Sequence, residues 1–271
     1  MDDVKIGIDL GGTKVLIIAG NYEEKHPTGF DFKPIQLEEI IKSFIEKYRL
    51  NPEGIAIAIP GLINRESDVL LCDVLPSFKG WNAKKALGKH SPNVNAINDI
   101  RAALKHEFNE HDDRLNCGVI MVGTAVGAAF LVNGKLLTGN SGWAGEFGYF
   151  PLVVDGDVKR IDALCGGSFL AKQLGISAKE MADLAIKGDE FVLGVIEKAG
   201  YHLGLGIAGL VNLFNPKVLA VGGGTARLPG YWQGIEKAAK ENIIPELWDN
   251  DLLRPAKDGH KIVALGALSL L

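Results

Sequence analysis

The stretch Val4–Ala19, VKIGIDLGGTKVLIIA, sets two short apolar runs on either side of a Gly-Gly-Thr turn. Val4 to Leu10 and Lys14 to Ala19 therefore predict two strands of a hairpin. The turn itself, Asp9-Leu10-Gly11-Gly12-Thr13-Lys14, has the composition of a phosphate cradle. Without a Cβ, Gly11 and Gly12 let backbone N–H groups approach phosphate oxygens. Thr13 adds a hydroxyl and Lys14 a cation. A carboxylate at a strand end, Asp9, suits Mg²⁺ held through water, because Mg²⁺ gives up its hydration reluctantly. The competing reading is an ordinary tight hairpin with a polar turn, and the GxxxxGK[ST] spacing of a P-loop is absent.

Outward from this hairpin, Leu37, Ile40, Ile41, Phe44, Ile45 and Tyr48 fall at helical spacing. Gly54 to Pro60 reads as a strand closing on Pro60-Gly61, and Val94 to Ile97 as another closing on Asn98-Asp99, with a helix over Arg101 to Phe108. Hairpins mixed with αβ units predict a mixed sheet covered by helices. A second round starts at Gly118–Gly123, and Gly127–Val132 runs into Asn133-Gly134, a tight-hairpin signal. The strand–glycine–threonine–strand layout thus recurs near residue 120, a faint internal repeat suggesting two related halves. Beyond it come a capping box at Ser177 to Glu180, a long apolar helix from about Glu190 to Phe214, and a strand at Val218–Val221 entering Gly222-Gly223-Gly224. A polar stretch, Trp248 to Lys261, precedes Ile262–Leu271, read as strand then helix.

The chain has 271 residues, 47% hydrophobic and 23% charged, with a formal net charge of -4. It can bury a real core and carries no basic field to gather nucleic acid or an anionic membrane. Small molecules or a second copy are the expected partners. Cys72, Cys117 and Cys165 are too sparse for a disulfide framework, and without a CxxC pair no zinc site is expected. Histidines 26, 90, 106, 111, 202 and 260 are scattered and suggest no metal cluster. Met1-Asp2-Asp3 is the wrong start for a signal peptide and no apolar run is expected to reach the roughly 18 residues of a membrane span, so the cytoplasm is the expected location.

Three further segments carry candidate chemistry. Gly123-Thr124-Ala125-Val126-Gly127 is a second glycine–threonine turn after a buried strand, and also reads as a plain hairpin. Gly222-Gly223-Gly224-Thr225 at a strand end leaves room for an adenine or ribose, or is a loose strand-to-helix turn. Asn98-Asp99 places a carboxylate at the carboxyl edge of a sheet, where it serves either as a base for an attacking hydroxyl or as the N-cap of the next helix. Glu146, within Gly142-Trp143-Ala144-Gly145-Glu146-Phe147-Gly148, either grips sugar hydroxyls or is a solvated loop charge.

The order of these segments resembles the ROK family of sugar kinases and repressors. Asp9-x-Gly-Gly-Thr-Lys14, Pro60-Gly61, Gly80-Trp81, Asn98-Asp99, Gly123-Thr124, Ala144-Gly145-Glu146-x-Gly148 and Gly222-Gly223-Gly224 match it at seven places along essentially the whole chain. The resemblance implies an α/β protein of the actin-like (ribonuclease H-like) ATPase fold, two lobes with a cleft between them, and commonly a homodimer. The lobes are expected over 1–113, with 259–271 packing back on it, and over 114–258. By the same resemblance Asp99 is the catalytic base towards a sugar hydroxyl, usually O6. Pro60, Gly61, Asn98, Glu146 and Asp162 contact the sugar. Asp9, Gly11, Gly12, Thr13, Lys14, Gly123 and Thr124 hold Mg²⁺ and the ATP triphosphate, and Gly223-Gly224 border the nucleoside.

Repressors of the family carry a DNA-binding helix-turn-helix ahead of the first phosphate turn. That turn starts within ten residues of Met1, so the kinase half of the family is expected. Four departures matter. The family's zinc-ligand histidine is Tyr149 here, and its cysteine-rich loop is replaced by Pro151 to Ile161, so zinc is expected to be absent. The acidic sugar ligand is Asp162, one methylene shorter than the usual Glu. Ser77 stands for an Asn, and alanines replace glycines in Gly-Thr-Ala-Val-Gly-Ala-Ala. The expected activity is ATP-dependent phosphorylation of a hexose or N-acylhexosamine. The rivals are a polyphosphate-using hexose kinase and a non-catalytic sugar or nucleotide sensor.

Overall fold

A computed structural model of the chain describes residues 3–64, 66–108 and 116–271. It forms two compact units, Met1–Asn109 with Lys261–Leu271, and Glu110–His260. The expected boundary at 113, His111 and the opening Met1-Asp2 lie outside the described residues.

Unit 1 is built on a sheet of β1 (Asp3–Leu10), β2 (Lys14–Ala19) and β3 (Tyr22–Pro27). After α1 (Pro34–Tyr48) come β4 (Asn51–Ile59), the small ribbon β5 (Leu62–Ile63) and β6 (Val69–Leu71), α2 (Ala83–Leu87), β7 (Val94–Asn98) and α3 (Asp99–Glu107). The sheet order is β3-β2-β1-β4-β7, antiparallel through the first three strands and parallel from β1 to β4 to β7. Because both faces of β2 are covered, its apolar run does not alternate. Val15, Ile17 and Ala19 join the core beneath α1, with Leu37, Ile41 and Phe44. Leu16 and Ile18 turn the other way, onto Ala264 of the C-terminal helix, Ile262–Leu268.

That helix corrects one expectation. Ile262-Val263 has the β-branched look of a strand, but the segment is helical from Ile262 onward, with Ile262, Val263, Ala264 and Ala267 buried. The strand of this region lies upstream, inside the polar stretch, where Leu253–Pro255 pairs with a neighbour in unit 2. A three-residue strand is too short for its alternation to show.

Unit 2 repeats the plan. Its strands β8 (Cys117–Val122), β9 (Val126–Val132) and β10 (Lys135–Leu136) form an antiparallel meander, closed at Asn133-Gly134 by two positive-φ residues. A separate hairpin follows, β11 (Pro151–Val154) and β12 (Asp157–Arg160), and then α4 (Ile161–Cys165), α5 (Gly167–Leu174), α6 (Ala178–Ile186) and α7 (Glu190–Phe214). The chain continues through β13 (Val218–Gly222), α8 (Tyr231–Asn242) and β14 (Leu253–Pro255). The sheet order β10-β9-β8-β13-β14, with β8, β13 and β14 parallel, matches unit 1 strand for strand. The repeat seen faintly in the sequence is therefore a repeat of architecture.

Ser177 caps α6 by accepting from the Glu180 amide, and Asp189 caps α7 by accepting from that of Val192. At 25 residues α7 corrects a second expectation, since among the described residues it is long and apolar enough to cross a bilayer. Its apolar face, including Ile196, Leu203, Ile207 and Val211, is buried in the unit 2 core.

Candidate active site

In unit 1 three of the expected segments converge. β7 ends at Asn98, and Asn98 rather than Asp99 is the N-cap of α3. Its Oδ1 accepts from the amides of Ile100 and Arg101, both at 3.1 Å. Asp99 is the first helical residue, and the expectation that it serves as the cap is corrected. The two roles separate because Asn98 keeps extended dihedrals (φ -64°, ψ 141°) while Asp99 is already helical. The Asn98 amide group donates to the Gly61 carbonyl and to Asp99 Oδ1, each at 3.0 Å, and Asp99 Oδ1 also accepts from the Ile100 amide at 2.9 Å. Asn98 thus ties Pro60-Gly61 to Asp99. Gly61 is required here: its φ is 100°, and a side chain would run into the Leu71 carbonyl.

Asp9 is the last residue but one of β1, beside the first turn, pairing in register with Leu16 and Ala58. Burial first and the Asp99 charge second push its carboxyl up to about 7, with Lys14 opposing. The turn is held from below. The Gly11 amide donates to the Lys14 carbonyl (2.9 Å), Thr28 Oγ1 donates to the Gly11 carbonyl (2.6 Å), and the Thr28 amide donates to the Thr13 carbonyl (3.0 Å). Thr13 and Lys14 stand exposed on it. Thr28 was not foreseen, because nothing local marks a threonine 17 residues away as part of the turn. Ser77, the replacement for an Asn, donates its hydroxyl to the Phe32 carbonyl at 2.6 Å.

In unit 2 the second turn is stitched to two other segments. The Gly123 carbonyl accepts from the Gly167 amide (2.8 Å) and from Thr225 Oγ1 (2.9 Å). The Thr124 carbonyl accepts from Ser168 Oγ (2.8 Å) and from the Ser168 amide (3.2 Å). Gly123-Thr124, the start of α5 and Gly223-Gly224-Thr225 therefore form one patch, with Thr124 exposed on it. Thr225 and Ser168 were missed as site residues, although each directly follows a glycine pair that marked the place. Gly223 has a φ of 98°, and a side chain on it would overlap the Val122 backbone. Gly223→Ala is accordingly expected to lower unfolding stability by roughly 2–4 kcal/mol, read as a shift of the denaturant midpoint.

Asp162 is partly occupied by structure. Its Oδ1 accepts from the Val126 amide at 2.6 Å at the start of β9, and burial raises its carboxyl above the usual range against that bond. Glu146 is exposed and leads into a single 3₁₀ turn, Phe147–Tyr149. The adjoining Tyr149 ring lies under the Arg160 guanidinium, 4.4 Å from Cζ to the ring centre. A phenol, a guanidinium and an aliphatic hairpin do not suit zinc, which needs imidazole or thiolate donors.

The family profile described as ROK family matches residues 5–271. The chain belongs to the ROK family. Among its relatives within the ROK family, the N-acetylmannosamine kinase of Escherichia coli O157:H7 is 28% identical, the match covering 98% of this chain and 97% of that one. A xylose repressor of Bacillus spizizenii is 24% identical over 97% of this chain and 72% of its own. Among solved structures, a ROK family glucokinase from Streptomyces griseus, in complex with glucose and AMPPNP, superposes with a TM-score of 0.82 at 22% identity, covering 98% of both chains. Those likenesses show the actin-like ATPase fold. Kinases and repressors both occur among the relatives, so the family alone leaves the activity open.

Proposed function

We propose that this ROK protein is a sugar kinase that transfers the γ-phosphoryl group of ATP to a hydroxyl, O6 by the family resemblance, of a hexose or N-acylhexosamine. The arrangement of Asn98, Asp99 and Gly61 carries the reading. Asn98 takes the capping duty and leaves Asp99 at the sheet edge as a carboxylate for an acceptor hydroxyl. In the reaction the sugar oxygen attacks phosphorus, the bond from the γ-phosphorus to the bridging oxygen breaks, and ADP departs with the electron pair. The hydroxyl proton passes to Asp99. Pro60, Gly61, Asn98, Glu146 and Asp162 are assigned to the sugar.

Asp9, Gly11, Gly12, Thr13 and Lys14 on unit 1, and Gly123, Thr124, Gly223 and Gly224 on unit 2, are assigned to the nucleotide. The residues fit a hydrated hard cation, because Asp9 is a carboxyl made uncomfortable by burial and by a neighbouring negative charge. Mg²⁺ held there would neutralise developing charge on the phosphates. The exposed Thr13 hydroxyl and Lys14 ammonium orient the same phosphates.

A second reading, a sugar sensor without turnover, draws support from Ser77 and Asp162. Both spend a polar atom on the backbone rather than presenting it to a ligand. A panel of hexoses and N-acylhexosamines, assayed for ADP release with ATP and for sugar phosphate with polyphosphate, separates the readings. ADP release with at least one sugar is expected. Sugar and ATP binding with no product from either donor would establish the sensor, and product from polyphosphate alone would replace the donor.

A further inference from the structure

Beside the β11–β12 hairpin, unit 2 has a half-open pocket of about 210 Å³. Its walls are of two kinds. Val154, Leu164, Leu170 and Val195 supply an apolar side, from the hairpin, α4, α5 and α7. Lys159, Lys198, Gln173 and His202 supply a polar one, with Asp155 as the single acid. None of these residues belongs to the phosphate turns or to the sugar set.

His202 is the informative member. It is 8% exposed, yet among the described residues its ring makes no hydrogen bond. Its ring nitrogens are not among the fully buried atoms that lack a partner, so they keep solvent contact and are open to a ligand in the cavity it lines. Burial, helped by Lys198 and Lys159 and opposed by Asp155, holds its pKa below the usual histidine range. The ring is therefore neutral near pH 7, with one nitrogen carrying a proton to donate. Lys198 is only loosely engaged, its Nζ 4.0 Å from Asp155 Oδ2 with both side chains largely exposed. Two lysines against one aspartate leave the polar wall with an excess positive charge.

A fully hydrated inorganic anion gains nothing from four aliphatic side chains, whereas an organic anion uses both walls. The volume is well beyond the needs of one water and is of the size of a small organic molecule. We infer that this cavity binds a small organic carboxylate, with its hydrocarbon body against Val154, Leu164, Leu170 and Val195 and its carboxylate between Lys159, Lys198 and His202.

The test uses butyrate, its uncharged isostere butyramide, and inorganic phosphate, titrated separately into the full chain. Binding is followed by calorimetry and by the His202 imidazole resonance, assigned by its disappearance in His202→Asn. Butyrate is expected to shift that resonance, and butyramide and phosphate are expected to leave it in place. In the double variant Lys159→Gln/Lys198→Gln, which removes the two positive charges of the polar wall, butyrate affinity is expected to fall about tenfold or more. The inference is overturned if butyrate leaves the resonance unmoved, if butyramide binds as well as butyrate, or if the double variant binds unchanged. It is equally overturned if phosphate displaces butyrate at equal concentration, which would make this an inorganic-anion site.

Discussion

Asp99→Asn is expected to cut turnover by about 10²–10⁴-fold, the usual worth of a positioned general base, while the protein stays folded and still binds sugar. The fold is expected to tolerate the change because the helix cap does not depend on Asp99. Because Asn98 holds the cap, the variant keeps both amide bonds that start α3. Asparagine still offers an Oδ1 to the Ile100 amide and to Asn98 Nδ2, where Asp99 Oδ1 now accepts. What disappears is a negative charge in the first helical turn, a loss of roughly 0.3–1 kcal/mol, offset in part by relief of its repulsion with Asp9. Steady-state rates, calorimetric sugar affinity and a thermal melt check the three parts together. Turnover equal to wild type would remove Asp99 as the base. Loss of sugar binding in step with turnover would make it a ligand instead.

The same pair of residues shows what the sequence could and could not reveal. Asn98-Asp99 at a strand end marked the right place, but the division of labour between them is a matter of dihedral angles. Two good capping residues in a row leave that choice open until the strand's last hydrogen bonds are seen. The core was more legible: β1 and β2 were bounded correctly, or nearly so, because apolar runs broken by Gly-Gly-Thr leave little choice. β11 and β12 leave no alternating strand signal in the sequence. Their outward rung, Val153 opposite Val158, is 73% exposed on both strands, so hydrophobicity points away from the interior and the usual alternation is inverted. The helix at Ile262–Leu268 was misjudged at its start because its fate is decided by contact with α3 and β1, far away in the chain. Among site residues, the glycine turns were legible from composition. Thr28, Ser168 and Thr225 hold those turns through bonds spanning 17, 44 and 102 residues, which no local pattern encodes.

The second large effect is expected at Asp9, and it runs in two directions. Asp9→Asn is predicted to abolish most turnover and yet to make the protein more stable above neutral pH. In the unfolded chain this carboxyl titrates near its ordinary 3.8, and in the folded protein near about 7. Between those values the folded state holds a proton that the unfolded state has released, so stability falls as pH rises and the full penalty is present above about 7. Each unit of displacement is worth about 1.4 kcal/mol. Asp9 retains partial solvent contact, which brings the expected gain in the variant to on the order of 2 kcal/mol at pH 8. For a chain of this size that is roughly 4–8 °C in Tm. The gain should shrink steadily towards pH 4 and vanish below it, where both states are protonated. Melts of wild type and variant across pH 4–8 decide the matter: parallel profiles would mean that Asp9 carries no such penalty. A carboxylate kept where it weakens the fold is the pattern of a residue held for its ligand. Under the proposed function that ligand would be the cation and triphosphate at the first turn, which would neutralise the charge that burial and Asp99 make unfavourable.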